Sequence, residues 1–277
     1  FLRLEQLIRH SPFAINSSTI DNSTQITNIH TMKALTINEF GGPEKMQLTD
    51  VPVPEAQAGE LRIKISAAAL NPVDWKIRGG YLKDVFPHNF PLILGWDCTG
   101  VVDQVGDGVE EFKEGDPVLA YCRKEQVGAG TFASHIVVQP QHCAHRPDNL
   151  SEPQAAALPL AGLTAWQALF DAGKIQAGET VLVHAAAGGV GHLAVQLAKS
   201  AGARVIGTAS QKNHEFLKSL GVDHPVDYAS GDVKQQVLDI TGNGVDFIFD
   251  CIGGPALDES PALLNDNGRI ITITGFD

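Results

Sequence analysis

The stretch that most narrows the possible folds is TVLVHAAAGGVGHLAVQLAKSAGA, residues 180–203. An apolar strand runs into a glycine-rich turn, and the turn opens a helix that Gly202 stops. Ala186, Gly188 and Gly191 occupy the three positions of G-x-G-x-x-G, with alanine in the first. Small residues there permit a tight turn and a close approach of the backbone to a pyrophosphate, and the helix N-terminus adds free N–H groups and a positive dipole. A glycine-rich turn alone is a common structural loop. With the strand before it and the helix after it, Ala186–Gly191, including Gly189 and Val190, is expected to cradle a dinucleotide. The next strand, ARVIGTAS, ends without the carboxylate that an NAD site places on the ribose hydroxyls. Ser210 offers a hydroxyl there and Lys212 a positive charge, which suit an extra phosphate, so the expected cofactor is NADPH.

Short apolar strands and helices alternate on either side of this turn, from about residue 153 onward, as in a doubly wound parallel sheet. Five strands fall near Val181, Val205, Val226, Phe247 and Ile271. Residues 32–152 differ: MKALTI, ELRIKISAAAL, GDPVLAY and TFASHIVV alternate as strands, with frequent Gly and Pro between them. GVVDQVGDGV reads as strand, turn and strand again. The fold class is therefore α/β, a barrel-like β domain followed by the doubly wound domain. Residues 1–31 are expected to be a disordered or upstream extension, with a transit peptide as the second possibility.

A formal charge of −12 argues against a nucleic-acid partner. No apolar run approaches the ~20 residues of a membrane helix. Cys98, Cys122, Cys143 and Cys251 are scattered, without a C-x-x-C pair, which fits a reducing, cytoplasmic compartment.

NPVDWKIRGG, LILGWDCTGVVDQVGDGVEEFKEGD, LPLAGLTAWQAL and VLVHAAAGGVGHLAVQLAK occur in this order. Together they resemble the medium-chain dehydrogenase/reductase superfamily, in its zinc-free quinone oxidoreductase and enone reductase branch. The resemblance runs from about Met32 to Phe276. It implies a chaperonin-like β catalytic domain joined to a Rossmann domain, with nicotinamide and substrate held between them. It also implies that Thr164 lies near the nicotinamide, Tyr228 beside the adenosine end, and Cys251–Gly254, with Gly253 among them, over the ribose. Taken singly, each of these residues also reads as ordinary surface, packing or turn. Zinc-dependent members carry Cys, His and Glu at set positions; here those places read Asn71, Trp96 and Asp97, so no metal is expected. The cluster His142–Cys143–His145 reads as packing and surface.

Without a Lewis acid, hydride addition suits an acceptor that disperses charge onto its own oxygen, a quinone or an α,β-unsaturated carbonyl. Lys76 is the first candidate to donate to that oxygen, with Asn71 and Tyr81 beside it in the sequence, while Asp74 is expected to hold the segment together. Two other classes remain: a zinc-type alcohol dehydrogenase with unusual ligands, and a non-catalytic NADPH-binding protein of crystallin type. Six strands are usual in a doubly wound dinucleotide domain and five are counted, so the C-terminus is expected to be truncated. The bare fifth strand would make this chain poorly soluble or weakly active alone, whereas the longer protein would be a homodimer.

Overall fold

The structure, a computed structural model, describes residues 30–274. The expected N-terminal extension therefore lies outside the described residues, apart from His30 and Thr31. The chain divides into two compact units at Leu160. The sequence-based boundary at residue 152 falls earlier. The difference has a simple cause: helix Glu152–Ala156 buries Ala155 and Ala156 completely against strands of the first unit. The division falls inside helix Pro159–Trp166.

The first unit is built from two sheets. One has the order β2-β1-β4-β7, formed by β1 (Thr31–Ile37), β2 (Gln47–Pro52), β4 (His88–Ile93) and β7 (Val127–Ala129). The other has the order β8-β3-β5-β6-β9, with β3 (Leu61–Ala68), β5 (Asp97–Val105), β6 (Pro117–Tyr121), β8 (His135–Val138) and β9 (Cys143–His145). The alternation in LRIKISAA does what a period of two requires: Leu61, Ile63 and Ile65 point into a core shared with Cys98, Val102, Val118 and Ile136. GVVDQVGDGV departs from the expected strand-turn-strand. β5 ends at Val105, and the following residues bond to the turn at 57–60 instead of forming a ladder, with Gly106 N–H on Glu60 O at 2.9 Å and Gly59 N–H on Asp107 O at 2.8 Å.

The second unit holds one parallel sheet of order β12-β11-β10-β13-β14. Its strands are β10 (Thr180–Val183), β11 (Arg204–Ala209), β12 (His224–Asp227), β13 (Val245–Asp250) and β14 (Leu264–Thr272), the five counted from the sequence. This is the 3-2-1-4-5 part of a doubly wound domain, with the strand order reversing between β10 and β13. Successive residues of each strand face opposite layers of helices. Val181, Val183, Phe247 and Phe249 enter one core with helix Gly191–Ser200, and Leu182, Ile206, Val226 and Ile248 enter the other with helix Val233–Thr241. Burial on both faces explains the unbroken apolar runs. Among the described residues β14 is an edge strand. Its Arg269 reaches across Phe247, 4.8 Å from the ring centroid, and clasps both carboxylate oxygens of Glu179 at 2.9 and 2.8 Å. The same guanidinium donates to Gly173 O. No helix among the described residues is long and apolar enough to cross a membrane.

Candidate functional site

The glycine-rich loop leaves the carboxyl end of β10 at the point where the strand order reverses, the usual position of a ligand crevice in such sheets. Ala185 adopts φ +51°, a left-handed conformation that costs a non-glycine residue about 1–2 kcal/mol. It is held there by two bonds: its N–H donates to Thr208 Oγ1 at 3.1 Å, and its carbonyl accepts from Gly188 N–H at 2.8 Å. Two glycines of the loop have opposite surroundings. A Cβ on Gly191 would lie 2.3 Å from Ala185 O and 2.8 Å from Ala186 Cα, so close packing of helix and strand demands glycine. A Cβ on Gly189 would meet nothing within 4 Å. The fold leaves that side of the loop open. The Ala186 methyl packs on Gly207 of β11, where an added Cβ would lie 2.9 Å from it.

The other expected cofactor residues follow neighbouring strand ends on the same edge of the sheet. Ser210 comes directly after β11, and its Oγ accepts from Asn213 Nδ2 at 3.3 Å. Lys212 is exposed and forms no salt bridge among the described residues. Tyr228, directly after β12, is 57% exposed. Cys251–Gly254 follows β13 and folds around Asp250. That carboxylate is fully buried and accepts from Ile252 N–H, Gly253 N–H, Thr272 Oγ1 and Thr274 Oγ1. Burial alone would raise its pKa, but these bonds outweigh it and hold Asp250 below the usual carboxylate range. The Cys251 thiol is pushed up to about 12, by burial first and Asp250 second, so it is no nucleophile. Thr164 is not at a strand end; it sits half-buried on helix Pro159–Trp166.

In the first unit the catalytic candidates separate into two groups. Asn71 caps helix Pro72–Arg78, with its N–H on Asp74 Oδ2 at 2.7 Å, which gives Asp74 the holding role expected of it. The Asn71 side chain turns inward and donates from Nδ2 to Asp97 Oδ2 at 3.0 Å. Lys76 and Tyr81 instead flank Trp75: Lys76 Nζ lies 5.9 Å from its ring centroid, and the Tyr81 ring meets it edge-on at 5.7 Å. Tyr81 is 74% exposed. Asp97 was legible only as a residue in place of a zinc ligand, yet it is the most perturbed carboxyl here. It is fully buried, accepts Leu160 N–H at 3.0 Å on its other oxygen, and is pushed up to about 7, first by desolvation, with nearby Asp74 adding to the effect. Burial likewise lifts Asp74 to about 6.

Zinc does not fit this donor set. Trp96 presents no ligand atom; its indole is buried, meets Phe86 and Tyr121 edge-on at 5.8 and 6.4 Å, and is covered by Arg123 at 5.7 Å. Among the described residues no three His, Cys, Asp or Glu side chains gather as a metal site. His145 stacks on Phe112 at 4.7 Å, and burial raises the Cys143 thiol to about 12.

A glycine-rich loop at the switch point of a parallel sheet, carried by a chain that also folds a separate β unit, is the architecture of nicotinamide-dependent oxidoreductases. The family description "Alcohol dehydrogenase GroES-like domain" matches residues 57–148, and "Zinc-binding dehydrogenase" matches residues 189–276. The chain is 39% identical over 249 residues to the chloroplast envelope quinone oxidoreductase homolog of Arabidopsis thaliana, covering 88% of this chain and 75% of that protein. The solved quinone oxidoreductase of Coxiella burnetii superposes with a TM-score of 0.77 at 38% identity, covering 88% of this chain and 75% of that one. CurK enoyl reductase does so with a TM-score of 0.81 at 33% identity, covering 88% and 74%. The chain belongs to the medium-chain dehydrogenase/reductase superfamily, in its quinone oxidoreductase branch.

Proposed function

We propose that this oxidoreductase uses NADPH to reduce quinones or α,β-unsaturated carbonyls, without a metal ion. The observation that carries the metal-free part is the Trp96 indole, packed among Phe86, Tyr121 and Arg123 at a place where zinc-using relatives need a ligand. Bound NADPH supplies the hydride. The chain's own residues supply binding and charge stabilisation: Ala186–Gly191 offers backbone N–H groups and room for the pyrophosphate, and Ser210 and Lys212 offer a hydroxyl and a positive charge to the additional phosphate. Thr164, Tyr228 and the Cys251–Gly253 turn complete the proposed cofactor contacts. Lys76, with Asn71 and Tyr81 in the same segment, donates toward the acceptor oxygen as it gains charge. The same proposal includes a homodimer for the longer protein and, since all four cysteines are free thiols, a reducing, cytoplasmic setting.

Cofactor choice is tested on Lys212. Its replacement by alanine is expected to weaken NADPH binding by about 1.5–3 kcal/mol, the value of a charge-assisted bond, and to leave NADH unchanged. Equal affinity of the unaltered chain for both cofactors would sink this part.

Acceptor class is tested by following NADPH absorbance with benzoquinone, short enones and ethanol, with and without a chelator. Quinone or enone turnover should be indifferent to the chelator, and ethanol should not be oxidised. Lys76→Met should lower turnover roughly 100–1000-fold without changing the NADPH dissociation constant, as losing one donor to a developing oxyanion does. Binding without turnover of any acceptor would instead make the chain a non-catalytic NADPH binder.

A further inference from the structure

His184 is the first residue after β10 and is 3% exposed. It stands where the strand order reverses, and its contacts run to both sides. Its N–H donates to Phe249 O of β13 at 2.9 Å. Its Nδ1 lies 3.4 Å from Thr208 Oγ1 of β11, and its Nε2 lies 3.2 Å from Ser260 Oγ, just beyond helix Pro255–Glu259.

The direction of each bond follows from the partners. The Ser260 hydroxyl already donates to Ala256 O at 2.6 Å, so it accepts from His184, and the imidazole carries its hydrogen on Nε2. His184 Nδ1 is then an acceptor, and the hydroxyl that donates to it is that of Thr208. Thr208 Oγ1 in turn accepts from Ala185 N–H. An unbroken chain of donors and acceptors thus runs from Ala185 through Thr208, His184 and Ser260 to Ala256 O. At one end is the left-handed residue that opens the phosphate loop. At the other is the segment that follows Cys251–Gly254. Burial lowers the His184 pKa, which keeps the ring neutral, as the chain of bonds requires.

An aliphatic residue of similar bulk would fill this part of the core without the cost of burying two ring nitrogens. Such a cost is met here by two side chains from two other elements, and both lead to loops at the ligand edge of the sheet. We propose that His184 is a positioning residue that couples the phosphate loop to the Cys251–Gly254 loop, so that the two loops bind a nicotinamide dinucleotide as one unit. The proposal rests on the assignment of Ala186–Gly191 as the dinucleotide loop.

The test uses the 277-residue chain, with NADPH and NADH titrated calorimetrically and thermal melts recorded alongside. Ser260→Ala touches neither loop, yet it should weaken the better-bound cofactor about tenfold while the protein still melts cooperatively. His184→Leu should weaken it to a similar degree, and the double variant should be no weaker than His184→Leu alone, because the second cut falls on a chain already broken. Should His184→Leu fail to fold, Thr208→Val takes its place in the same cycle. A merely structural role predicts lowered melting with an unchanged dissociation constant. Ser260→Ala binding within twofold of the unaltered chain, or full additivity in the double variant, overturns the coupling. Failure of the unaltered chain to bind either cofactor overturns the dinucleotide assignment and the coupling with it.

Discussion

Gly189→Asp should leave the protein folded and abolish its nicotinamide dinucleotide binding, whereas Gly191→Val should damage the fold itself. The two positions are two residues apart in one loop, but their surroundings differ. A side chain at Gly189 meets no protein atom within 4 Å, so the folded state accepts it without strain. In the proposed function a pyrophosphate approaches the backbone through the space it would enter, and a carboxylate there adds like-charge repulsion to steric exclusion. A loss of at least about a hundredfold in affinity is expected, equal to ~3 kcal/mol. At Gly191 the first added carbon lies 2.3 Å from Ala185 O, in a turn whose backbone Thr208 Oγ1 holds through the Ala185 N–H. Relief requires the helix to move off the sheet, at a cost of about 1–3 kcal/mol or more. Urea unfolding and cofactor titration of both variants check the pair. Undiminished cofactor affinity in Gly189→Asp would remove the loop from the binding site.

Asp97→Asn should stabilise the protein at pH 8 and flatten its stability profile between pH 5 and 8. The sign follows from the raised pKa. Folding moves the Asp97 carboxyl from an ordinary 3.8 to about 7, so the folded state holds the proton more tightly than the unfolded chain does. That advantage is complete below about pH 4 and is lost as pH rises through 7. Ionising a carboxyl held so far above its ordinary range costs the folded state about 4 kcal/mol at pH 8. An asparagine carries no such cost. Its oxygen still accepts Leu160 N–H, and the Asn71 amide turns over to present oxygen to the new nitrogen. Asp74, raised to about 6, leaves a residual slope of the same sign. Urea midpoints measured at both pH values decide; parallel profiles for variant and parent would show that Asp97 does not titrate in this range. A buried carboxyl that opposes stability at neutral pH, bonded to a candidate catalytic amide, fits a functional group better than a structural one.

What the sequence disclosed, and what it hid, divides along the range of the interactions. The second unit was legible because its signals are local. Each strand is a short apolar run closed by a helix or glycine, and the loop at 186–191 carries its own chemistry in six consecutive residues. The first unit's site was not, since Asn71 and Asp97 lie 26 positions apart and meet only when β5 pairs with its neighbours. An aspartate between Trp96 and Cys98 in an apolar run gave no hint of two N–H partners. His184 was hidden for the same reason: Thr208 and Ser260 are 24 and 76 residues away. Lys76 and Tyr81 were grouped with Asn71 by proximity in the chain, but the helix turns their side chains toward Trp75 and the Asn71 side chain toward Asp97.

Arg269 gives the order of assembly of the parallel sheet a physical check. Side chains on β14 alternate, so a slip of one residue would exchange Ile270 and Ile271 between the two helix layers and point the guanidinium away from its partners. Its correct partners are not on one neighbouring strand. Phe247 belongs to β13, while Glu179 immediately precedes β10, 90 residues earlier in the chain. The bidentate pair closes only on a sheet in which β10 and β13 already lie side by side. β14, synthesised after the four strands it joins, is thus checked against the start of β10, and a nascent chain that mispairs β13 offers Arg269 nothing to hold.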